Sequence, residues 1–251
     1  MTALVASGCG AAVSVRVDVE RSGAGSVNVT ITLPAATASQ LEDLTAGLPL
    51  ADLHRAGWVV DGPRGGPDGS TVVSADHTFS SLAQVPVLMA DIAGAGPAGS
   101  RPFRLAVTEA KGTLEDRFQA SGTVDLDCAV ACFDDPHLAQ EVGYPLGLRP
   151  AQVAQLLGAH PDRDLSFRIV LSLPGKASAT NAPLRTKQAL VWSPALGHST
   201  SISATTESVN VVFVRYLLIA VGVGAVVVLV TAGSLVVRRR RRLRVTVTGP
   251  S

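Results

Sequence analysis

The sequence predicts an α+β fold, in which helices pack on one face of an antiparallel sheet, followed by one C-terminal transmembrane helix. Two observations carry this prediction. Patterned segments follow one another in the order ββα, ββα, ββ, with strands in the majority, and this order favours an antiparallel sheet with helices on one face. A continuous apolar segment near the C-terminus is long enough to cross a bilayer.

Strands are predicted where apolar and polar residues alternate. Valines occupy every second position of residues 13–19, and residues 27, 29, 31 and 33 repeat the pattern after a glycine-containing turn at 21–25. A period of two is typical of half-buried strands, here joined as a hairpin. The same reasoning predicts further strands at 58–60, 71–79, 103–107, 118–126, 165–173, 190–192 and 199–206.

Helices are predicted at 34–47, 82–92 and 150–157. Pro34 suits a first helical turn, Pro86 delays or kinks the start of the second helix, and Pro150 with Gly158 delimits the third. Apolar residues at helical spacing give the first two helices one buried face each. These faces consist of Leu41, Leu44 and Leu48 in the first helix, and of Leu82, Val85, Met89 and Ile92 in the second.

Residues 215–237 are predicted to form the transmembrane helix. The stretch 217–237 has 21 residues and no charge, and at about 1.5 Å per residue it spans about 31 Å. A buried core helix is the alternative, which so long an uncharged stretch disfavours. The five arginines that follow form a stop-transfer signal and put the C-terminal tail, 238–251, in the cytoplasm. They are Arg238, Arg239, Arg240, Arg241 and Arg242.

The charges divide at this segment. The chain has 21 basic and 20 acidic residues and a net charge of +1. Six basic residues lie after the apolar stretch and Arg215 lies just before it, so the remaining 14 basic and 20 acidic residues give the preceding body a charge of about −6. An acidic extracellular body with a basic tail disfavours a nucleic-acid-binding protein, which would carry a basic face.

The three cysteines suggest a lipid anchor. Residues 5–9 resemble a bacterial lipobox, which predicts that Cys9 is acylated and becomes the mature N-terminus. Residues 1–8 are then the remnant of a signal peptide, and because eight residues cannot hold its apolar region, translation is expected to start upstream. With Cys9 acylated, Cys128 and Cys132 could form a disulfide in an oxidising compartment. An ordinary free cysteine at position 9 is the alternative.

The body is predicted to consist of an α+β domain at 9–133 and a strand-rich part at 134–210. The sequence leaves open whether the second part is a separate domain or completes the first.

No catalytic, cofactor or metal motif is present, so we expect a non-enzymatic protein without a cofactor. The five histidines lack the spacing of zinc hydrolases, and no nucleophile elbow or phosphate-binding loop occurs. An acidic cluster between residues 125 and 137 could form an oxygen-rich cation site, but a solvated acidic loop is favoured. Its members are Asp125, Asp127, Asp134, Asp135 and His137.

Several short motifs, taken in order, resemble the actinobacterial LppM lipoprotein family over residues 8–240. The motifs are Gly8-Cys9-Gly10, Ala56-Gly57-Trp58-Val59-Val60, Phe103-Arg104-Leu105, Gly122-Thr123-Val124-Asp125-Leu126, Leu173-Pro174-Gly175, Asn181-Ala182-Pro183 and Trp192-Ser193-Pro194-Ala195-Leu196-Gly197. The resemblance implies a cell-envelope lipoprotein with an α+β ectodomain related to lipid-binding folds. It implies no catalytic residue.

Two functions are compatible with this sequence. In the favoured one, a groove between sheet and helices binds an amphiphilic envelope lipid or glycolipid, with Leu41, Leu44, Leu82, Val85, Met89 and Ile92 as candidate ligand-binding residues. In the alternative, these apolar faces fill a core, as apolar stripes usually do, and the domain is a protein-interaction or envelope-structural module. The expected partners are the membrane bilayer and a membrane lipid or glycolipid, with no nucleic acid; protein partners stay open.

Overall fold

The computed structural model describes residues 10–35, 50–93, 102–127, 165–210 and 213–224. The chain divides into two compact units. The first unit contains Met1–Ala110 and Arg117–Ser208, and the second contains Lys111–Asp116 and Val209–Ser251. The predicted helices at 34–47 and 150–157 lie almost entirely outside the described residues.

The described residues of the body form strands and two α-helices, with short 3-10 turns at Pro67–Gly69 and Leu82–Gln84. In chain order the elements are β1 Ala11–Val19, β2 Gly25–Leu33, α1 Leu50–Arg55, β3 Val59–Gly65, β4 Thr71–Phe79, α2 Val85–Ala93, β5 Phe103–Ala110, β6 Glu115–Asp125, β7 Leu165–Ser172, β8 Lys176–Thr180, β9 Leu184–Arg185, β10 Leu190–Trp192 and β11 Ser199–Val209.

These strands form two sheets. The larger has seven strands in the order β3-β4-β2-β1-β7-β10-β9, and the smaller has four in the order β5-β6-β11-β8. The predicted α+β class is confirmed, but the expected antiparallel sheet is not the whole architecture, because β1 pairs in parallel with β7. Alternation of apolar residues fixes which face of a strand is buried and not which strand lies beside it. A parallel neighbour reached by a long crossover therefore leaves no local signal.

Both sheets contribute to one hydrophobic core. Val15, Val17 and Val19 of β1 are buried, and the same face continues through Ile169 and Leu171 of β7. These residues belong to one cluster with the apolar face of the smaller sheet, which includes Leu105 and other buried side chains. Each sheet thus contains strands from before and after residue 133, and these strands share this core.

The other face of the large sheet is polar. Arg16 donates two hydrogen bonds to Asp18, the shorter at 2.6 Å, and this interaction raises the pKa of Arg16. On the neighbouring strands, Asn28 Nδ2 donates to Asp76 Oδ1 at 2.7 Å. The alternation predicted from the sequence for the first hairpin is therefore confirmed, with Val15 opposite Val29.

A capping box starts the 3-10 turn that leads into α2. The Ser81 hydroxyl accepts from the N–H of Ala83 and the Gln84 side chain accepts from the N–H of Ser81, which satisfies donors that a helix start leaves free. The helix follows the 3-10 turn, and Pro86 lies in its first turn, where no intrahelical N–H is required. The delay expected from Pro86 is thereby confirmed.

The second unit joins the 111–116 turn to the helix α3, residues 213–224. Asn210 connects them: its N–H donates to the Leu114 oxygen at 2.8 Å, its Nδ2 donates to the Gly112 oxygen at 3.0 Å, and its Oδ1 accepts from the N–H of Phe213 at 3.1 Å. The last bond has the geometry of a helix N-cap. Asn210 therefore fixes where this helix starts.

The large apolar side chains of α3 are exposed. They are Tyr216, Leu217, Leu218, Ile219, Val221 and Val223, with exposed fractions between 48% and 69%. The predicted transmembrane segment continues to residue 237, beyond the described residues. Across the part of the chain that the structure describes, no helix has the length and apolar character needed to span a bilayer.

Gly25 allows the close approach of β1, β2 and β4. A Cβ at this position would overlap the carbonyl oxygen of Asp18 and the ring of Phe79, which is buried in the core. We expect Gly25→Ala to lower the free energy of unfolding by about 3 kcal/mol and the Tm by roughly 6–12 °C. Thermal unfolding of the full chain in nanodiscs measures this, with Ser26→Ala as the matched control. Equal Tm values for the two variants would contradict the packing argument.

Candidate functional site

An apolar cavity lies between the β2-β4-β3 edge of the large sheet and the two helices. Its volume is about 130 Å³, and its lining residues are Val29, Ile31, Leu53, Trp58, Val60, Val73, Ser74, Ala75 and Ile92. Ala75 lies on β4, directly between Val29 of β2 and Val60 of β3. The small side chain at this central position leaves space that the flanking valines do not fill.

The end of α1 positions Trp58 in the cavity wall. The N–H of Gly57 donates to the His54 oxygen at 3.0 Å and the N–H of Trp58 donates to the Leu53 oxygen at 2.9 Å. With Gly57 at φ +89°, these bonds form a Schellman motif, in which the residue after the glycine commonly contacts the last helical turn. The motif therefore brings Trp58 and Leu53 together as lining residues.

Trp58 and the neighbouring His77 each contain a buried nitrogen atom. Trp58 is only 2% exposed, and its ring centroid lies 5.3 Å from that of His77, with the planes tilted by 58°. Trp58 Nε1 and His77 Nδ1 are buried and have no hydrogen-bond partner among the described residues. An unpartnered buried polar group costs about 1–3 kcal/mol.

The size of the cavity limits what it can hold. An apolar cavity of roughly 150 Å³ is dry and binds benzene-sized molecules, whereas pockets that enclose a whole drug-sized ligand measure about 300–1,000 Å³. At about 130 Å³, this cavity accommodates a short apolar fragment, such as the end of one acyl chain. It is too small to enclose a complete lipid.

The predicted ligand-binding residues have different positions in the structure. Ile92 lines the cavity. Val85 and Met89 are buried in the core, Leu82 packs against it, and none of these three lines the cavity. Leu41 and Leu44 lie outside the described residues.

Most of the cavity lining was not predicted as a site. The sequence assigns Val29, Trp58, Val60, Val73 and Ala75 only to strands. Leu53 belongs to an unpredicted helix, although Gly57 after His54 and Arg55 is a sequence signal for the end of a helix. What distinguishes the cavity from the core is the register that puts Ala75 between two valines, and register is a tertiary property.

The other predicted sites lie wholly or partly outside the described residues. These are the acylated Cys9, the disulfide of Cys128 and Cys132, and the stop-transfer arginines 238–242. Of the acidic cluster, Asp125 and Asp127 are described, and Asp125 Oδ1 accepts from the N–H of Asp127 at 3.2 Å. Within the described ranges, no group of three or more histidine, cysteine or acidic side chains could hold a metal ion.

The sequence matches no protein-family model and no curated protein. Among solved structures, the fold is similar to the NMR structure of the folded domain of the LppM protein from Mycobacterium tuberculosis. The identity is 13%, the TM-score is 0.44, and the similarity covers 85% of this chain and 98% of that chain. The matched protein bears the name of the family that the sequence resembles.

Proposed function

We propose that this protein is a membrane-anchored cell-envelope protein whose extracellular domain binds one acyl-chain end of an amphiphilic lipid or glycolipid. The observation that carries the proposal is the cavity beneath α1 and α2, whose side chains are apolar at every lining position except Ser74. A fragment of hydrocarbon gains about 0.8 kcal/mol for each methylene that it buries there.

Attachment to the membrane is part of the proposal. The exposed apolar side chains of α3 are unfavourable in water and suit insertion into a bilayer. They are continuous with the uncharged stretch that ends at residue 237 and with the arginines after it. Acylation of Cys9 would add a second attachment, just before β1 in the chain.

The proposed activity is non-enzymatic. The protein would hold its lipid and thereby sequester or present it in the envelope, with no nucleic acid and no cofactor involved. The cavity favours this function over the alternative of an interaction module with a filled core.

Photo-crosslinking of the full chain in nanodiscs tests this function. The nanodiscs contain phosphatidylcholine with a small fraction of phosphatidylglycerol that carries a diazirine at the end of one palmitoyl chain. We expect adducts on peptides that contain residues 29–31, 58–60 or 73–75, because a carbene at the chain end reacts with the cavity wall. Adducts on residues 213–237 serve as the internal control for membrane insertion. Adducts confined to that segment would contradict lipid binding by the domain.

A further inference from the structure

A second cleft lies at the opposite edge of the large sheet, between the two sheets. Its volume is about 260 Å³. Its interior is formed by Leu171, Leu173 and Leu190, and by Ala177 and Thr206 from the smaller sheet. The hydroxyl of Thr206 is used internally, since it donates to the Pro174 oxygen at 2.7 Å. The cleft therefore combines apolar side chains with polar groups.

Three cationic residues line the same cleft: Lys176, Arg185 and Lys187. Arg185 is opposite Leu190 in the β9–β10 pair, so both side chains are on one face. Its guanidinium donates to the Thr180 oxygen at 2.8 Å, which holds it beside the cleft and leaves other donors free. Lys187 has no ion pair or hydrogen bond with any described residue.

The loop that carries Lys187 is held by its own hydrogen bonds. The N–H of Thr186 donates to the Ala189 oxygen at 2.8 Å, and the Thr186 hydroxyl oxygen accepts from the N–H of Ala189 at 2.9 Å. A fixed loop reduces the conformational entropy that Lys187 loses when it meets a ligand.

The acidic residue beside the cleft, Glu207, already forms an ion pair with another residue. Glu207 is opposite Lys176 in the β8–β11 pair, but its carboxylate accepts from the Arg117 guanidinium at 3.0 Å. The pair with Arg117 leaves Arg185 and Lys187 as positive charges available to a bound anion.

We infer that this cleft binds a phosphate-bearing head group, with Arg185 and Lys187 on the phosphate and the adjoining apolar atoms on Leu171, Leu173 and Leu190. Arginine offers paired donors that match phosphate oxygens, and lysine adds a point charge. The three leucines favour a phosphate joined to hydrocarbon over a free ion. The inference does not depend on the acyl-chain cavity, because the two sites are formed by strands at opposite edges of the seven-stranded sheet.

Calorimetric titration of the full chain in phosphatidylcholine nanodiscs tests this inference, with empty nanodiscs as the blank. The probes are inorganic phosphate, glycerol 3-phosphate, dihexanoylphosphatidic acid and dihexanoylphosphatidylcholine. We expect dihexanoylphosphatidic acid to bind more tightly than glycerol 3-phosphate, and the zwitterionic lipid to give no signal above the blank. If dihexanoylphosphatidic acid and glycerol 3-phosphate bind with equal affinity, the phosphate site is confirmed and its natural ligand is a soluble phosphate.

Variants make the result specific to the cleft. We expect Lys187→Gln to weaken binding of dihexanoylphosphatidic acid by about tenfold, or about 1.4 kcal/mol, and Arg185→Gln combined with it to abolish binding. Arg168→Gln, on an exposed position of β7 outside the cleft, is the matched control and should leave the affinity unchanged. Because the Lys187 side chain makes no hydrogen bond or ion pair with a described residue, its loss should leave the Tm nearly unchanged. Absence of phosphate binding, or equal losses for Lys187→Gln and Arg168→Gln, would overturn the inference.

Discussion

Ala75→Leu is expected to reduce photo-crosslinking of the domain by diazirine-labelled phosphatidylglycerol by about tenfold or more. Ala75 lies at the centre of the cavity floor, flanked by Val29 and Val60. A leucine there fills space that two or three methylenes of an acyl chain would occupy. At about 0.8 kcal/mol per methylene, the loss is roughly 1.6–2.4 kcal/mol of binding free energy, which corresponds to about tenfold to fiftyfold in affinity.

The same substitution should not destabilise the domain. Filling an apolar cavity commonly adds about 0.5–2 kcal/mol to the free energy of unfolding, so the Tm should stay constant or rise by a few degrees. Loss of crosslinking together with an unchanged or higher Tm therefore assigns the effect to the cavity and excludes unfolding. Val60→Phe fills the cavity from the neighbouring strand and provides a second variant in case the leucine is accommodated badly.

Thr78→Leu is the matched control for the cavity. Thr78 is on the same strand as Ala75, but its side chain is on the exposed face, so this change adds the same kind of apolar bulk outside the cavity. Crosslinking of Thr78→Leu should equal that of the wild type. If Ala75→Leu retains the adducts on the domain, lipid is not bound in this cavity.

Asn181→Ala is expected to lower the free energy of unfolding by about 2–3 kcal/mol and the Tm by roughly 4–12 °C. Its Oδ1 accepts from Trp192 Nε1 at 3.0 Å and from the N–H of Ser203 at 2.9 Å, while its Nδ2 donates to the Ser201 oxygen at 2.9 Å. Trp192 belongs to the large sheet and Ser201 to the small one. One amide thus joins the two sheets and satisfies an indole that is 2% exposed.

A double-mutant cycle separates the bond to Trp192 from the rest. In a Trp192→Phe background the indole N–H is absent, so Asn181→Ala should cost about 1–2 kcal/mol less than in the wild type. Asn28→Ala is the matched control, since the amide of Asn28 bonds Asp76 on an exposed face and its loss should change the Tm little. If Asn181→Ala lowers the free energy of unfolding equally in the wild type and in the Trp192→Phe variant, the hydrogen bond to Trp192 contributes nothing to stability.

The sequence predicted the roles of the residues in these experiments only in part. Asn181 and Trp192 were singled out in two separate motifs, yet nothing in either motif indicated that their side chains meet. Ile92 was predicted as a cavity residue from helical spacing, and the structure has it in the cavity wall. Val85 and Met89 share that spacing but are core residues, because the same apolar periodicity describes a helix face whether it meets a cavity or a filled core.

The sequence by itself determined the α+β class, the strands of the first hairpin and the delayed start of α2, because these depend on local periodicity and on backbone chemistry such as that of proline. Only the tertiary structure decided the partners of the strands. The parallel pairing of β1 with β7, the position of Ala75 between Val29 and Val60, and the placement of Arg185 and Lys187 in one cleft with Leu171 follow from register and from contacts distant in sequence. The alternation of apolar and polar residues determines which face of a strand is buried, but it does not determine which strand pairs with it. The cavity and the cleft therefore form only when the strands have paired.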